Sequence, residues 1–231
     1  MSELFSIQLQ NRQQQGRDGV WLDLPTTTEQ VQAALRQIGI SSDNPQGLFI
    51  SGYFAEEEKR FAISYNMVLA SNVDELNFLA SRLETLSAGE RAELNAALQA
   101  PQSELFSIGR ITDFPENVDY YVHLPDVHGP AQLGDYYLNR SGMVDMPEEW
   151  KGGIDTAQFG RYVAQQEQGA FTQYGYLVKS GDEWQKVHEG QPVPEEYRVL
   201  SFPAPEVLRD SANIPPPVQP ETEPQKVIPI I

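Results

Sequence analysis

The first part of the chain alternates apolar and polar residues in three short stretches. An approximate alternation predicts a strand over 4–9, and apolar runs predict further strands over 20–24 and 48–54. The polar, glycine-containing stretch 10–19 between the first two strands predicts a loop. Three strands in this small space favour a single sheet.

A helix is predicted between the second and third strands. One of the threonines at 26–28 can cap it, and Gly39 is placed to end it. Its apolar residues fall on one helical stripe: Val31, Ala34, Leu35 and Ile38. Residues 1–69 are therefore predicted to form a small α+β domain, a three-stranded sheet that carries one helix.

The second part of the chain has helical periodicity. Ser71 or Asn72 can cap a helix whose apolar residues recur every three or four positions: Leu76, Leu79, Ala80, Leu83 and Leu86. Ser87 and Glu90 have the spacing of a capping box, and the helix that follows must stop before Pro101. Residues 70–102 are therefore predicted to be a helical domain of two short antiparallel helices.

The third part of the chain mixes both kinds of element. A strand is predicted over 119–124, a helix over 133–139, and a second helix that begins at the N-cap Asp155. A hairpin is predicted to pair 174–179 with 184–188 across a Ser-Gly-Asp turn. Residues 103–202 are therefore predicted to form a mixed α+β domain, so the chain belongs to the α+β class.

The last residues, 203–231, are rich in proline and offer little to pack, which predicts an extended or disordered tail. One hexapeptide, SELFSI, occurs at both 2–7 and 103–108, which hints that the first and third parts are distant duplicates. The residues after the two copies do not match, so coincidence is the favoured explanation.

Composition excludes several classes of protein. The chain has no cysteine, so disulfides, zinc ribbons, iron–sulfur clusters and thiol catalysis are excluded. No apolar run approaches the length of a membrane helix, and the first residues do not resemble a secretory signal, so we expect a cytoplasmic protein. A net charge of −17 argues against binding nucleic acid, because the DNA backbone would repel such a chain. A basic partner is favoured instead.

Candidate catalytic chemistry is sparse. The sequence has neither a nucleophile elbow nor a phosphate-binding or dinucleotide-binding glycine motif. His123, Asp126 and His128 could be written as a metal site, but their spacing matches one face of neither a helix nor a strand. We therefore predict that the chain is not an enzyme and that it holds no metal or cofactor.

What remains is the distribution of carboxylates. Over half of the net negative charge lies in 103–202, and the acids come singly or in pairs rather than in the long blocks of a disordered acidic tail. Carboxylates on folded elements can hold fixed positions, as DNA phosphates do. The candidate partner-binding residues are Asp74, Glu75, Glu84, Glu90, Glu93, Asp113, Glu116, Asp119, Asp126, Asp135, Asp145, Glu148, Glu149 and Asp155.

The net charge also sets a scale. At about one charge per 1.7 Å of duplex, −17 corresponds to roughly 29 Å of DNA. One chain could imitate only a short stretch of DNA, so imitation of a bipartite target site would need a dimer. A merely well-solvated acidic surface is the simpler alternative on the pattern alone.

Five stretches carry a resemblance to a known family. In order they are 19–25 (GVWLDLP), 73–80 (VDELNFLA), 133–138 (LGDYYL), 159–164 (FGRYVA) and 169–178 (GAFTQYGYLV). The sequence resembles the ArdA antirestriction proteins of plasmids, conjugative transposons and phages. The resemblance implies an elongated, curved, three-part α+β protein that dimerises through its last part, imitates bent DNA and performs no catalysis.

The resemblance also implies a partner. In the family, the acidic surface occupies the DNA groove that the specificity and methyltransferase subunits of type I restriction-modification enzymes form in a bacterial host cell. This chain departs from the family pattern at 10–17 and at 51–54, where acids are fewer or displaced, and in its proline-rich tail. An adaptor that binds a host or phage protein through the third domain or the tail is the alternative.

Overall fold

The computed structural model describes residues 3–14, 16, 18–101 and 103–205. The fold is α+β, as predicted, and it contains two three-stranded sheets. Most of the predicted tail, 206–231, lies outside the described residues. Within the described ranges, no helix is long and apolar enough to cross a membrane.

The first sheet confirms the three predicted strands. They are β1 (Phe5–Asn11), β2 (Val20–Leu24) and β3 (Leu48–Phe54), with β1 in the centre and antiparallel to both neighbours. The predicted helix is α1 (Thr28–Gln37), and Thr27 caps it together with Gln30. The apolar residues of β1 and β2 share one buried cluster with those of α1, which gives the apolar positions in the sequence their physical cause.

Three helices follow the first sheet: α2 (Tyr65–Ala70), α3 (Val73–Leu83) and α4 (Ala88–Gln99). Capping boxes begin both α3 and α4, and the box at Ser87 and Glu90 was predicted. The first predicted helix extended to Leu86, but α3 ends at Leu83. Leu86 is still buried, because the turn after α3 folds it back onto the core.

The third part contains α5 (Ile108–Thr112), α6 (Pro130–Asp135), α7 (Glu148–Lys151) and α8 (Thr156–Glu167). The predicted helix over 133–139 begins earlier, since Pro130 is well suited to a first turn, and it continues from α6 as a π-helical segment, Tyr136–Arg140. Asp155 caps α8 as predicted.

The predicted hairpin between 174–179 and 184–188 is wrong. The second sheet is β4 (Tyr121–Leu124), β6 (Gly175–Lys179) and β5 (Ala170–Thr172), with β6 in the centre. Because β6 has a strand on each side, it has no free edge for a further partner. The N–H groups at 187–189 bond to a buried side chain instead of to a strand.

The repeated hexapeptide adopts two different structures. The end of the first copy, from Phe5 to Ile7, lies in β1, whereas the second copy leads into α5, where Ser107 caps the helix. The residues that follow decide the outcome: QLQN continues the alternation of a strand, and GRIT continues as a helix. The structure therefore agrees with coincidence rather than with duplication.

One large cluster of buried apolar side chains has members from the first, second and third parts of the chain, from Leu4 to Val199. A second, smaller cluster consists of Val127, Leu133 and Tyr176. The division of the chain into domains at 1–69, 70–102 and 103–202 stays a prediction.

Two of the sequence stretches that carry the family resemblance meet where α6 packs on α8. A Cβ atom on Gly134 would lie 2.0 Å from the carbonyl oxygen of Thr156, and one on Gly160 would lie 1.8 Å from that of Pro130. The two helices can approach this closely only because both positions are glycine. The glycines in LGDYYL and FGRYVA thus have a packing role.

Replacing Gly160 with alanine should destabilise the protein, because the new methyl group collides with backbone that cannot move without separating α6 and α8. We expect a loss of at least about 2 kcal/mol in the free energy of unfolding, measured by urea denaturation. Gly152→Ala is the matched control, since a Cβ there meets nothing within 4 Å. Equal stabilities for the two variants would contradict the packing role.

Candidate functional site

The structure sorts the fourteen candidate carboxylates by exposure. Asp113 is buried, and six residues are half-buried: Asp74, Glu75, Glu84, Glu90, Glu93 and Asp135. Seven are exposed: Glu116, Asp119, Asp126, Asp145, Glu148, Glu149 and Asp155. Because a phosphate mimic must be within reach of a partner, this division decides which of them can take part.

Asp113 is a structural residue, and its assignment as a phosphate mimic is corrected. Its side chain is 0% exposed. Its two carboxylate oxygens accept hydrogen bonds from the backbone N–H groups of Val187, His188 and Glu189, at 3.2, 2.6 and 3.1 Å. These three donors satisfy the buried charge, so the carboxylate orders the chain after β6 and does not face a partner.

Asp74 has a similar role at the start of α3. Its Oδ1 atom accepts hydrogen bonds from the N–H groups of Val199 and Leu200, both at 2.7 Å. The residue is half-buried, so part of the side chain still faces solvent. These two bonds hold the backbone at 199–200 against α3.

Three candidates are helix-capping residues. Glu75 and Glu90 accept from the backbone N–H groups of Asn72 and Ser87, at 3.2 and 2.7 Å. Asp155 accepts from the N–H groups of Ala157 and Gln158 in the first turn of α8, at 2.9 and 3.0 Å. Hydrogen bonds from Ser87 lower the pKa of Glu90. Capping therefore restricts the position of all three carboxylates.

Ion pairs hold three further candidates. Glu116 pairs with Arg82, Asp135 with Arg140 and Glu148 with Lys151. Hydrogen bonds from Asn139 and Arg140 lower the pKa of Asp135. Each basic partner reduces the local negative charge, although the side chain of Glu148 is still 81% exposed. Glu84 lies at the C-cap of α3, where it is half-buried.

Asp126, Asp145 and Glu149 are exposed and form no hydrogen bond or ion pair with any residue that the structure describes. Asp126 lies in the turn after β4, and Asp145 and Glu149 lie just before and within α7. These side chains are therefore accessible to basic groups of a partner.

The structure brings four carboxylates together around one groove of about 440 Å³. We call it the acidic groove; its carboxylates are those of Glu116, Asp119, Asp182 and Glu183. Only the first two were candidates from the sequence. Asp182 and Glu183 were missed because the predicted hairpin placed them at a turn, whereas the chain there actually folds against the segment 116–120.

Glu93, in α4, is influenced by the charge of Asp119, one of the carboxylates of the acidic groove. Burial, helped by the negative charges of Glu90 and Asp119, raises its pKa to about 8. Its Oε1 atom is buried without a hydrogen-bond partner among the described residues. At neutral pH the group is therefore mostly protonated, and Glu93 contributes little negative charge to the surface.

His123, Asp126 and His128, whose spacing in the sequence argued against a metal site, are not brought together as metal ligands. The ring Nε2 atom of His123 lies 2.7 Å from the carbonyl oxygen of Tyr174, which occupies one of its two nitrogens. Within the described ranges, no group of three or more His, Asp or Glu side chains is placed to hold a metal ion.

The fold and its surface define the chain as an acidic α+β protein with exposed carboxylates on loops and helices of its third part. Residues 15–178 match the family described as Antirestriction protein (ArdA), which is more than two thirds of the chain. The chain therefore belongs to the ArdA antirestriction family, whose members act against type I restriction-modification. No individually curated protein matches the chain.

Glu93→Gln should alter the pH dependence of stability. The raised pKa means that the folded protein retains a proton that the unfolded chain loses near pH 4.5, so stability falls as pH rises from about 4.5 to about 8. Glutamine removes this penalty. We expect thermal unfolding midpoints of the variant and the wild type to converge near pH 4.5 and the variant to be more stable near pH 8.5.

The exposed carboxylate Glu57 provides a control, because Glu57→Gln should follow the wild type across the whole range. Midpoint curves for Glu93→Gln and the wild type that stay parallel from about pH 4.5 to about pH 8.5 would contradict the raised pKa.

Proposed function

We propose that this antirestriction protein binds as a DNA mimic: its exposed carboxylates take the places of phosphates in the DNA groove of a type I restriction-modification enzyme. The observation that carries the proposal is the group of accessible acids in the third part of the chain, Asp126, Asp145, Glu148 and Glu149, together with the acidic groove. Family membership supplies the class of target.

The physics of such a complex follows from preplaced charge. The enzyme's groove already holds lysine and arginine side chains in position for phosphates, so a fixed array of carboxylates can use the same partners. Binding releases the ions condensed on both surfaces, which makes the affinity depend steeply on salt. The ion pair of Glu148 with Lys151 and the capping bonds of Asp155 reduce the freedom of these two carboxylates before they bind.

The target surface in this proposal is formed by the specificity and methyltransferase subunits, in the cytoplasm of a bacterial host. A homodimer built through 103–202 would double the length of DNA that a single chain can imitate. Inhibition then results from occupancy of the groove, with no catalytic step by this chain.

An adaptor is the second candidate function, and exposed apolar side chains favour it. Met143, Trp150 and Tyr162 are 76, 69 and 60% exposed, and all lie in the third part. A partner held through such contacts would bind with little dependence on salt. The two functions therefore differ in a quantity that is simple to measure.

We expect the protein to compete with a DNA duplex for a purified type I methyltransferase, and the affinity to fall with salt. If six or more carboxylates meet basic groups, the association constant should fall by about 10³ or more between 50 and 200 mM salt. Fluorescence anisotropy with a labelled duplex measures both effects. Binding that persists in high salt without displacing DNA would favour the adaptor.

Neutralising the accessible acids of the third part should weaken inhibition and leave the fold intact. We expect an affinity loss of at least about thirtyfold, since each exposed ion pair contributes a fraction of a kcal/mol. The set is Asp126→Asn, Asp145→Asn, Glu148→Gln and Glu149→Gln.

A matched set in the first part removes the same charge from exposed positions: Asp18→Asn, Asp43→Asn, Glu56→Gln and Glu57→Gln. It should change the affinity by less than about threefold if the third part dominates. Equal losses for both sets would mean that only the net charge matters, and a complete loss from one single substitution would indicate a specific hot spot.

A further inference from the structure

The chain after β6 runs back across all three parts of the molecule. We call residues 180–203 the strap. The backbone N–H of Ser180 bonds to the carbonyl oxygen of Tyr120, the side chain of Ser201 accepts from Gln32, and the carbonyl oxygen of Pro203 accepts from Ser42 N–H. The strap thus begins beside β4 and ends beside α1 and the loop that follows it.

Buried polar side chains hold the first half of the strap. Asp113 accepts from three consecutive N–H groups at 187–189, and Asn117 both accepts from Gln185 N–H at 2.7 Å and donates to the Gln185 carbonyl oxygen at 3.0 Å. Asp113 and Asn117 are 0 and 4% exposed. A buried polar group that loses its partner is costly, so these bonds specify one path for the strap.

The second half of the strap is held by α3. The side-chain amide of Asn77 donates to the Tyr197 carbonyl oxygen at 3.0 Å, and Asp74 holds the next turn of chain. The ring of Tyr197 packs on Phe78 with centroids 4.7 Å apart, and Val199 is buried. Polar and apolar contacts therefore both hold the second half of the strap in the same position against α3.

The strap lies outside the family match, which ends at residue 178. Its first residues nevertheless line the acidic groove, because Asp182 and Glu183 face the segment that holds Glu116 and Asp119. We call Asp182 and Glu183 the strap carboxylates. Glu116 is paired with Arg82, but Asp119, Asp182 and Glu183 form no ion pair with any described residue. Their mutual repulsion favours moving the strap away from the groove, so other contacts must hold it there.

We propose that Asp113 and Asn117 are positioning residues: they fix the strap so that its two carboxylates complete the acidic groove, which then binds basic side chains of the restriction enzyme. This inference rests on the proposed function. Asp113, a candidate mimic by sequence, acts in this scheme through other carboxylates and never touches the partner.

The first test needs no partner. In Asp113→Asn, one acceptor oxygen is replaced by an amide that cannot accept, so backbone amides at 185–189 should exchange hydrogen at least about tenfold faster than in the wild type. Asp43→Asn removes the same charge from an exposed loop and should leave this exchange unchanged. Unchanged exchange in Asp113→Asn overturns the anchoring role.

Asn117→Ala is the second variant if Asp113→Asn fails to fold. It removes both bonds to Gln185 and leaves the charge of the protein unchanged. Exchange at 185–189 should rise here as well. Protection that is equal to that of the wild type overturns the proposal in the same way.

A double-mutant cycle then asks whether Asp113 acts through the strap carboxylates. Asp182→Asn with Glu183→Gln should weaken binding to the purified methyltransferase about fivefold, with no change in exchange. Asp113→Asn should cause a similar loss, although both strap carboxylates are still present. The combined variant should lose no more than either one, because the two changes remove the same contribution.

Additive losses would overturn the proposal, since Asp113 would then act elsewhere. The proposal would also be overturned if Asp113→Asn bound the methyltransferase as tightly as the wild type while its amides at 185–189 exchanged faster. If the wild type itself fails to bind the methyltransferase, the proposed function is refuted, and the strap's part in binding with it. The exchange experiment would still show whether the anchors hold, so the two failures are distinguishable.

Discussion

Like charges repel, and a protein that carries −17 must hold its acids in place against that repulsion. The structure offsets the repulsion locally, by giving carboxylates backbone donors. Glu75, Glu90 and Asp155 accept from helix N-termini, and Asp113 accepts from three successive N–H groups. Each bond restricts the carboxylate that accepts it, and the bonds from Ser87 also lower the pKa of Glu90. The contacts that order these side chains therefore also help to offset the repulsion between them.

Local signals were sufficient for much of the fold. The capping box at Ser87 and Glu90, the N-cap at Asp155 and the strands of the first sheet depend on neighbours within a few residues, so the sequence displays them directly. The predicted hairpin with 184–188 failed because β6 pairs with β4 and β5, and the pairing with the distant strand β4 is not visible in the local sequence. The packing of α6 on α8 explains why this chain has glycine at positions 134 and 160, for which the sequence pattern alone gave no cause.

The candidate surface was predictable only in outline. Charge density pointed to the third part of the chain, but no local pattern separates buried Asp113 from exposed Asp126. The acidic groove depends on contacts between residues more than sixty positions apart. The raised pKa of Glu93 likewise depends in part on the charge of Asp119, which lies in a different element. Exposure and long-range contact are properties of the folded chain, and the spacing of acids along the sequence does not contain them.

The long reach of the strap has a consequence for synthesis. A contact such as that between Gln32 and Ser201 spans 169 positions, so it closes late, after the local helices and hairpins have formed. At translation rates of about 5–20 residues per second, the strap follows β6 out of the ribosome by one to several seconds. During that interval the nascent chain exposes the apolar and amide groups that the strap later covers. We therefore expect the contacts of the strap to be the last to form in the newly made protein.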